Sequence, residues 1–151
     1  MHRLIAGRKL VLGGVQVPFE RGLLGYSDGD VLLHAIADAL LGAAGKGDIG
    51  QHFPSSDPQY KGISSLKLLE RVAELLKKDG FAVVNIDATV LAEGPALSPH
   101  FEAMKKKIAP VLGLDIRNIG IKATTQEGLG AVGRGEGMAA MAVALLKDEA
   151  L

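Results

Sequence analysis

The sequence predicts one domain of the α/β or α+β sandwich class, with helices packed on one face of a sheet. Strand-like segments with alternating apolar residues and helix-like segments with apolar residues three or four positions apart follow one another in the order βααβαβ. The chain has 151 residues, enough for one hydrophobic core, and no repeat or linker divides residues 1–151 into separate units.

The composition excludes several classes of protein. The 17 basic and 17 acidic residues balance, so there is no electrostatic reason to expect a nucleic acid or a membrane surface as partner. The absence of cysteine excludes disulfides and thiolate metal sites and fits a reducing compartment. No segment has about 18 consecutive apolar residues, and the start lacks the apolar run of a signal peptide. We therefore expect a soluble, cytoplasmic protein.

The first third of the chain predicts a hairpin followed by a long helix. Two short β-rich runs within residues 9–19 flank Gly13 and Gly14, a pair typical of a tight turn between strands. The stretch SDGDVLLHAIADALLGAAGKGDIG then predicts a helix that is apolar almost all round. Ser27 is expected to cap this helix, with Asp30 three residues later, close to a capping box.

The middle of the chain predicts a loop, a helix and two strands. Residues 45–62, which contain several Pro, Ser and Asp, predict a long irregular loop of the kind that often carries function. Residues 65–79 place apolar side chains on one helical face, and Gly80 follows as a stop. Residues 83–92 and 118–123 alternate as strands.

Two further segments differ in how well propensity assigns them. Ser98 and Pro99 open another helix, which is expected to end or kink near Pro110. The tail MAAMAVALL, from Met138, is ambiguous: alanine favours helix, but a short apolar run is also typical of a buried strand.

Three polar residues recur every four positions on the first long helix. Asp30, His34 and Asp38 therefore share one helical face. They fit a buried histidine paired with a carboxylate, the more common arrangement, or a metal ligand whose second nitrogen is steered by an acid. One histidine cannot hold a metal, so a second would have to come from elsewhere in the chain. The other histidines are His2, His52 and His100.

Three sequence blocks are specific in their order and spacing: SDGDVLLH at the first helix, GDIGQHFP in the loop and KATTQEGLG near the tail. With NIDATVLAEGPALSPH between them, the chain from His2 onward resembles the 2-C-methyl-D-erythritol 2,4-cyclodiphosphate synthases of the non-mevalonate isoprenoid pathway. The resemblance implies a homotrimer with active sites between adjacent subunits. It also implies a mixed sheet with helices on one face, the other face turned toward the trimer axis, and the alanine-rich tail as a strand.

The reaction that the resemblance implies is an intramolecular phosphoryl transfer. The 2-phosphate of 4-CDP-2-C-methyl-D-erythritol 2-phosphate attacks the β-phosphorus, CMP leaves, and the 2,4-cyclodiphosphate forms. Such chemistry needs little proton transfer and depends on folding the substrate back and neutralising crowded phosphates. Zn²⁺ or a similar divalent metal, together with Mg²⁺ or Mn²⁺, would act as Lewis acid and template.

Metal ligands follow from the resemblance by position. His2 and His34 match the two histidines of the zinc site, and Glu127 matches the carboxylate on the second metal. Asp38 is expected to orient His34, and Asp30 to supply a carboxylate at the helix start. An ordinary buried polar pair is about as well supported for these two aspartates.

Substrate contacts implied by the resemblance fall in three segments. The methylerythritol diphosphate end is expected to contact His2, Tyr26, Ser27, Asp48, Ile49, Gly50, Phe53, Pro54, Ser55, Ser56 and Asp57. The cytosine is expected to contact Ala92, Glu93, Gly94, Pro95, Ala96, Leu97 and Ser98. The phosphates and the trimer axis are expected to involve Thr124, Thr125, Gln126, Glu127, Ala131, Arg134 and Glu136. Tyr26 and Thr125 are the predicted catalytic residues.

Several positions depart from the family's pattern. The family has Gly-x-Asp-x-His where only Met1 precedes His2, so we expect a shortened start that lacks the aspartate ligand and most of the first strand. Tyr26 replaces a histidine that helps to stabilise the reacting phosphates, and a tyrosine cannot become a cation. Further replacements, of an aspartate, a lysine and a phenylalanine, are Ser55, Ala96 and Ala131.

The departures leave two hypotheses about function. The first is a working synthase that binds and converts its cytidine diphosphate substrate. The second is a catalytically impaired or redesigned homotrimer on the same scaffold, which binds cytidine nucleotide or acts structurally. Release of CMP from the substrate distinguishes the two.

Overall fold

A computed structural model describes residues 1–149, in which a layer of helices covers one face of a sheet. Within these residues the strands are β1 (His2–Ala6), β2 (Leu10–Leu12), β3 (Val15–Val17), β4 (Arg21–Leu23), β5 (Phe81–Leu91), β6 (Ile119–Thr124) and β7 (Gly137–Asp148). The α-helices are α1 (Val31–Ala43), α2 (Ile49–His52), α3 (Ser65–Lys78), α4 (Phe101–Leu112) and α5 (Gly130–Gly133). Short 3-10 helices lie at Pro58–Tyr60, Ser98–His100 and Ile116–Asn118.

The main sheet has the strand order β4-β1-β7-β5-β6, and β2 pairs with β3 in a separate hairpin. Strands β5 and β6 are parallel, with Ile86 opposite Ile119, whereas β7 is antiparallel to both β5 and β1. The sheet is therefore mixed, which confirms the predicted fold class. Because β5 and β6 are parallel, both end at the same edge, where the backbone N–H of Ala92 donates to the carbonyl of Thr124 at 3.0 Å.

Helices α1, α3 and α4 pack against the sheet and enclose the core. Helix α1 is apolar almost all round because it contacts both β7 and α3, so that residues on opposite sides of it, such as Leu32 and Leu41, are both buried. Helix α3 is amphipathic and buries Leu69, Val72 and Leu76 on one face, as the pattern predicted. Gly80 follows it in a left-handed conformation (φ 81°), which a glycine adopts without strain.

The opposite face of the sheet is uncovered in the single chain. Strand β7 alternates between partly buried alanines that face the helices and exposed apolar residues on the other side. Met141, Val143 and Leu145 are 67%, 67% and 57% exposed, so three large apolar side chains stand in a row on this face. The ambiguous tail is thus a strand. Strand β7 lies between β1 and β5 and pairs with both, and this pairing overrides the helix propensity of the alanines in β7.

The predicted hairpin forms, and it determines where α1 begins. Gly13 and Gly14 form the turn with φ of 58° and 73°, a left-handed pair typical of two-residue hairpins. Asp30 is the N-cap of α1 and accepts from the backbone N–H of Leu33, Gly13 and Gly14 at 3.0, 3.0 and 2.8 Å. The prediction that Ser27 caps the helix is therefore wrong. Asp30 is fully buried, which raises its pKa to about 7 even though these backbone donors act to lower it.

Two other predicted segments are more structured than expected. The loop over residues 45–62 contains α2 and a 3-10 helix. The helix after Ser98 starts as a 3-10 turn and continues as α4 past Pro110, ending at Gly113 in the left-handed region. The expectation that most of the first strand is missing is wrong, because His2–Ala6 form a strand with partners on both sides. Within residues 1–149 every helix is too short or too polar to cross a lipid bilayer.

Candidate active site

A cavity of about 380 Å³ lies between the start of β1, the segment before α1 and the loop around α2. We call it the histidine cavity. Its lining residues are His2, Tyr26, Ser27, His34, Ile49, Gly50, Phe53, Pro54, Ser55, Ser56, Tyr60 and Leu68. Most of the residues predicted to contact the methylerythritol diphosphate end are among them. The structure therefore brings together residues that are up to 66 positions apart in the sequence, His2 and Leu68.

Two histidines face each other in this cavity. His2 comes from the first position of β1, and His34 lies in the first turn of α1. The Nε2 atom of His2 is 3.0 Å from the Nδ1 atom of His34, and the rings meet edge to face. Two imidazole nitrogens at this distance share one hydrogen or direct both lone pairs at a cation. The chemistry of the pair thus fits the divalent metal that the resemblance implied.

Burial keeps both imidazoles neutral near pH 7. Desolvation lowers the pKa of His34 to about 4, and the neighbouring His2 contributes in the same direction. Desolvation, the chain's amino terminus and Arg8 also lower the pKa of His2. Asp28 acts against the lowering at both rings without cancelling it. Neutral imidazole is the form that binds a metal ion, so the pair is in its ligand form at physiological pH.

The outer nitrogen of His34 bonds to serines and not to Asp38. His34 Nε2 lies 3.0 Å from Ser65 Oγ and 3.1 Å from Ser27 Oγ. Asp38 is exposed and accepts from the backbone N–H of Ile49 at 2.8 Å. The prediction that Asp38 orients His34 is therefore wrong. Asp38 instead fixes the start of α2, which carries part of the cavity wall.

The loop around α2 is held by caps and an aromatic contact. Asp48 caps α2 by accepting from Gln51 N at 3.0 Å, and Asp57 accepts from Gln59 N at 3.0 Å. Tyr60 is buried and meets the ring of Phe53 edge to face at 5.5 Å. Asp48 and Asp57 do not line the cavity. The two predicted substrate-binding aspartates thus hold the loop in shape, and the cavity wall comes from the residues between them.

Tyr26 is at the mouth of the cavity. Its side chain is 41% exposed, and its hydroxyl donates to the carbonyl of Asp57 at 3.4 Å. This long bond leaves the hydroxyl available to a ligand in the cavity. The phenol can donate a hydrogen bond to a phosphate oxygen, but it brings no positive charge.

The remaining predicted residues form a second group at the carboxyl ends of β5 and β6. We call residues 92–98 and 124–134 the threonine group. Gln126 N donates to Glu93 Oε1 at 2.7 Å, and Thr125 Oγ1 donates to Glu127 Oε1 at 3.1 Å. Glu127 has φ 51°, uncommon for a residue other than glycine. Arg134 pairs with Glu136 at 2.6 Å.

Most of the threonine group is open to solvent, and none of it lines the histidine cavity. Thr124, Thr125 and Glu127 are exposed. Among residues 1–149, no three His, Cys, Asp or Glu side chains are grouped so that they could hold a metal ion. The predicted ligand Glu127 is therefore not joined to His2 and His34 within one chain.

Several residues of the site received no predicted role, although Asp28 lies within the SDGDVLLH block. Tyr60 and Leu68 line the cavity, and Ser65 and Asp28 lie behind His34, yet none was predicted. Tyr60 follows the GDIGQHFP block and is the one aromatic of the second half of the loop, a composition signal that could have found it. Ser65 looks like an ordinary helix-start serine in the sequence, and only the fold shows its contact with His34.

The fold has counterparts in known proteins: the chain belongs to the YgbB family, whose model matches residues 1–147. The 2-C-methyl-D-erythritol 2,4-cyclodiphosphate synthase of Desulfosudis oleivorans is 61% identical over 149 residues, covering 99% of this chain and 89% of that protein. That of Pelotomaculum thermopropionicum is 60% identical over 146 residues, covering 97% of this chain and 90% of that protein. These matches confirm the resemblance.

Solved structures agree with this assignment. A 2C-methyl-D-erythritol-2,4-cyclodiphosphate synthase in its CDP-bound form has a TM-score of 0.88 at 37% identity, covering 97% of this chain and 95% of that one. The bifunctional IspDF from Campylobacter jejuni has a TM-score of 0.93 at 43% identity. That match covers 99% of this chain, which spans 41% of the bifunctional protein.

Proposed function

We propose that the chain converts 4-CDP-2-C-methyl-D-erythritol 2-phosphate to the 2,4-cyclodiphosphate and CMP, a step of isoprenoid precursor biosynthesis. The observation that carries the proposal is the facing pair His2 and His34 in a cavity walled by the loop around α2. The relatives named as this synthase support it, since they match nearly the whole chain. The reaction makes the chain a lyase that acts in the non-mevalonate pathway.

In this proposal the histidine cavity holds the end of the substrate that cyclises. His2 and His34 hold the divalent metal, proposed to be Zn²⁺, which neutralises phosphate charge and serves as a template when bound. The loop residues Ile49, Gly50 and Phe53 to Ser56 enclose the methylerythritol end. Tyr26 donates to a phosphate oxygen at the mouth of the cavity. Together these groups fold the substrate so that its 2-phosphate reaches the β-phosphorus.

The threonine group binds the cytidine diphosphate end in the same proposal. Backbone groups of residues 92–98 contact the cytosine, and the hydroxyl groups of Thr124 and Thr125 contact the diphosphate. Glu127 holds the second cation, Mg²⁺ or Mn²⁺, and its carboxylate is already positioned by Thr125 at 3.1 Å. The CDP bound to a relative supports a nucleotide site in this family. Ala96 supplies no positive charge, so affinity depends on these other contacts.

The complete site is proposed to form between adjacent copies of a homotrimer. The histidine cavity and the threonine group do not share a wall within one chain. The uncovered sheet face presents Met141, Val143 and Leu145 to solvent, an apolar row that a second copy would bury. Ala131 and Arg134 then lie near the trimer axis. We also propose that the trimer works in the cytoplasm, with no nucleic acid or membrane as partner.

The impaired alternative gains nothing from the comparisons, since the relatives share the name of the working enzyme at 55–61% identity. The decisive test is turnover. The purified chain, with Zn²⁺ and Mg²⁺, is incubated with the substrate and followed by phosphorus NMR. Stoichiometric CMP and cyclic diphosphate are expected. Binding of CDP without any release of CMP would overturn the proposal in favour of the impaired alternative.

A further inference from the structure

Behind the histidine pair lies a chain of hydrogen bonds that the proposed reaction does not use. Asp28 precedes α1, and Ser65 is the first residue of α3, so two separate elements meet at His34. Ser65 Oγ donates to Asp28 Oδ1 at 2.5 Å and lies 3.0 Å from His34 Nε2. Ser65 is 1% exposed, so water does not replace either contact. The series of hydrogen bonds therefore runs from Asp28 through Ser65 and His34 to His2.

The donors and acceptors in this hydrogen-bond series determine where its hydrogens lie. The Asp28 carboxylate accepts from the backbone N–H of Asp30 at 3.1 Å and of Ser65 at 3.0 Å, as well as from the Ser65 hydroxyl. A carboxylate only accepts, and a serine has one hydroxyl hydrogen. The Ser65 hydrogen therefore points at Asp28, and only lone pairs of Ser65 Oγ face His34. The bond at 3.0 Å then requires a hydrogen on His34 Nε2.

The position of that hydrogen decides what His34 presents to the cavity. A neutral imidazole carries one hydrogen, so an occupied Nε2 leaves the lone pair on Nδ1. Nδ1 is the atom that faces His2 Nε2 at 3.0 Å. Ser27 does not oppose this arrangement, because its hydroxyl can donate to Ser65 Oγ at 3.5 Å while it accepts from Gly29 N.

We infer that Asp28 and Ser65 are positioning residues, which hold His34 in the tautomer with hydrogen on Nε2 and so direct the Nδ1 lone pair to the metal position. This inference rests on the proposed function for the identity of the ligand, but the tautomer itself does not. Partners behind a ligand histidine fix its ring and tautomer in this way in metal sites generally. Here Ser65 stands between the carboxylate of Asp28 and the imidazole of His34 and hydrogen-bonds to both.

A purely structural role would explain some of the same contacts. The side chain of Ser64, the N-cap residue of α3, makes no capping bond, and Asp28 Oδ2 accepts from the first backbone N–H of the helix. In that case loss of the Ser65 hydroxyl would change stability alone. The tautomer of His34 and its metal affinity separate the two roles.

The test measures the imidazole nitrogens of the metal-free chain by ¹⁵N NMR with labelled histidine. His34 in the wild type is expected as a single tautomer with hydrogen on Nε2. Ser65→Ala should give a mixture of tautomers, and Ser64→Ala, its matched control, should keep the wild-type spectrum. In Asp28→Asn the amide can donate to Ser65 Oγ and release the serine hydrogen toward Nε2, so hydrogen should move to Nδ1.

Metal affinity is the second readout, measured by titrating Zn²⁺ against a competing chelator. Ser65→Ala is expected to bind about 10- to 100-fold more weakly, with Ser64→Ala unchanged. A wild-type His34 protonated on Nδ1, or a folded Ser65→Ala with unchanged tautomer and affinity, would overturn the inference. Because both readouts use chain and Zn²⁺ alone, a chain without turnover would refute the proposed function and leave this inference standing.

Discussion

The histidine cavity and the threonine group differ in how much of their surroundings one chain supplies. Behind the cavity, Ser27 and Ser65 are buried, and His34 has a hydrogen-bond partner on each ring nitrogen. In the threonine group, Thr124, Thr125 and Glu127 are exposed, and the bonds of the two threonine hydroxyls stay within residues 124–127. One chain thus preorganises the histidine cavity, whereas the threonine group is an open surface, which in the proposed function another copy completes.

The largest expected effect comes from the histidine cavity. Replacing a residue that hydrogen-bonds to a metal ligand typically costs roughly 10–100-fold. His34→Asn should lower CMP release by more than this, because it removes a proposed ligand itself. Zinc content after dialysis should fall with it. His100→Asn is the matched control, since His100 is outside the cavity. Full zinc content and turnover in His34→Asn would remove the cavity from the account.

A charge on the uncovered sheet face should prevent assembly, and so distinguish the histidine cavity from the threonine group. Val143→Asp would place a carboxylate where another copy is proposed to pack, and burying it unpaired is unfavourable. Light scattering should then give a mass near the 15.7 kDa of one chain, in place of three times that value. Turnover should be lost while Zn²⁺ binding persists.

The control for this prediction is Lys67→Asp, on the exposed face of α3, which should remain trimeric. A monomeric wild type at micromolar concentration would contradict the homotrimer. So would a Val143→Asp variant that stays fully assembled.

A smaller effect is expected from the exposed group. Thr125→Val removes one hydrogen-bond donor to the diphosphate and should lower kcat by about 100-fold. Because Thr125 is exposed, the free energy of unfolding should change by less than about 0.5 kcal/mol. Thr125→Ser keeps the hydroxyl and should retain most of the activity. Equal kcat for the valine variant and the wild type would show that Thr125 takes no part.

The smallest expected effect is the pH dependence of the metal-free chain. Burial lowers the pKa of His34 to about 4, so between that value and 6.5 the unfolded chain binds a proton that the folded chain does not. The contribution of neutral His34 to the free energy of unfolding is therefore complete above pH 6.5 and decreases as pH falls through this range. Urea unfolding in the presence of a chelator should give a loss of about 1–2 kcal/mol from pH 7 to pH 5.

The control for the pH series is His34→Gln, which removes the titrating group. Its dependence on pH should be weaker by that amount. Identical pH dependence in the variant and the wild type would show that His34 does not titrate as its burial requires.

The sequence predicted those elements whose structure depends only on residues close to one another in the chain. The hairpin turn at Gly13 and Gly14 and the amphipathic helix α3 follow from backbone freedom and periodicity. The cap of α1 was misassigned to Ser27 because Asp30 is selected by the two glycine N–H groups of the hairpin, a contact between distant segments. The strand β7 likewise depends on its neighbours β1 and β5, since propensity alone favours helix.

The candidate site was predictable to the extent that motifs mark it. The loop around α2 and the pair His2 and His34 came from the family resemblance, since a separation of 32 positions gives no local signal. Helical spacing suggested Asp38 as the partner of His34, but the ring turns away from it toward Ser65 of another helix. Which partner a buried side chain selects depends on packing between elements, and a single sequence does not encode that in a local pattern.

The central claim, that one copy's histidine cavity acts with another copy's threonine group, can be tested by mixing two inactive variants. His34→Asn and Thr125→Val chains are unfolded together, refolded and assayed for CMP release. If neighbouring copies share each site, about a quarter of the sites in random trimers combine an intact cavity with an intact threonine group. Activity should therefore return to about a quarter of the wild-type value. Mixed trimers that stay as inactive as the separate variants would contradict the account.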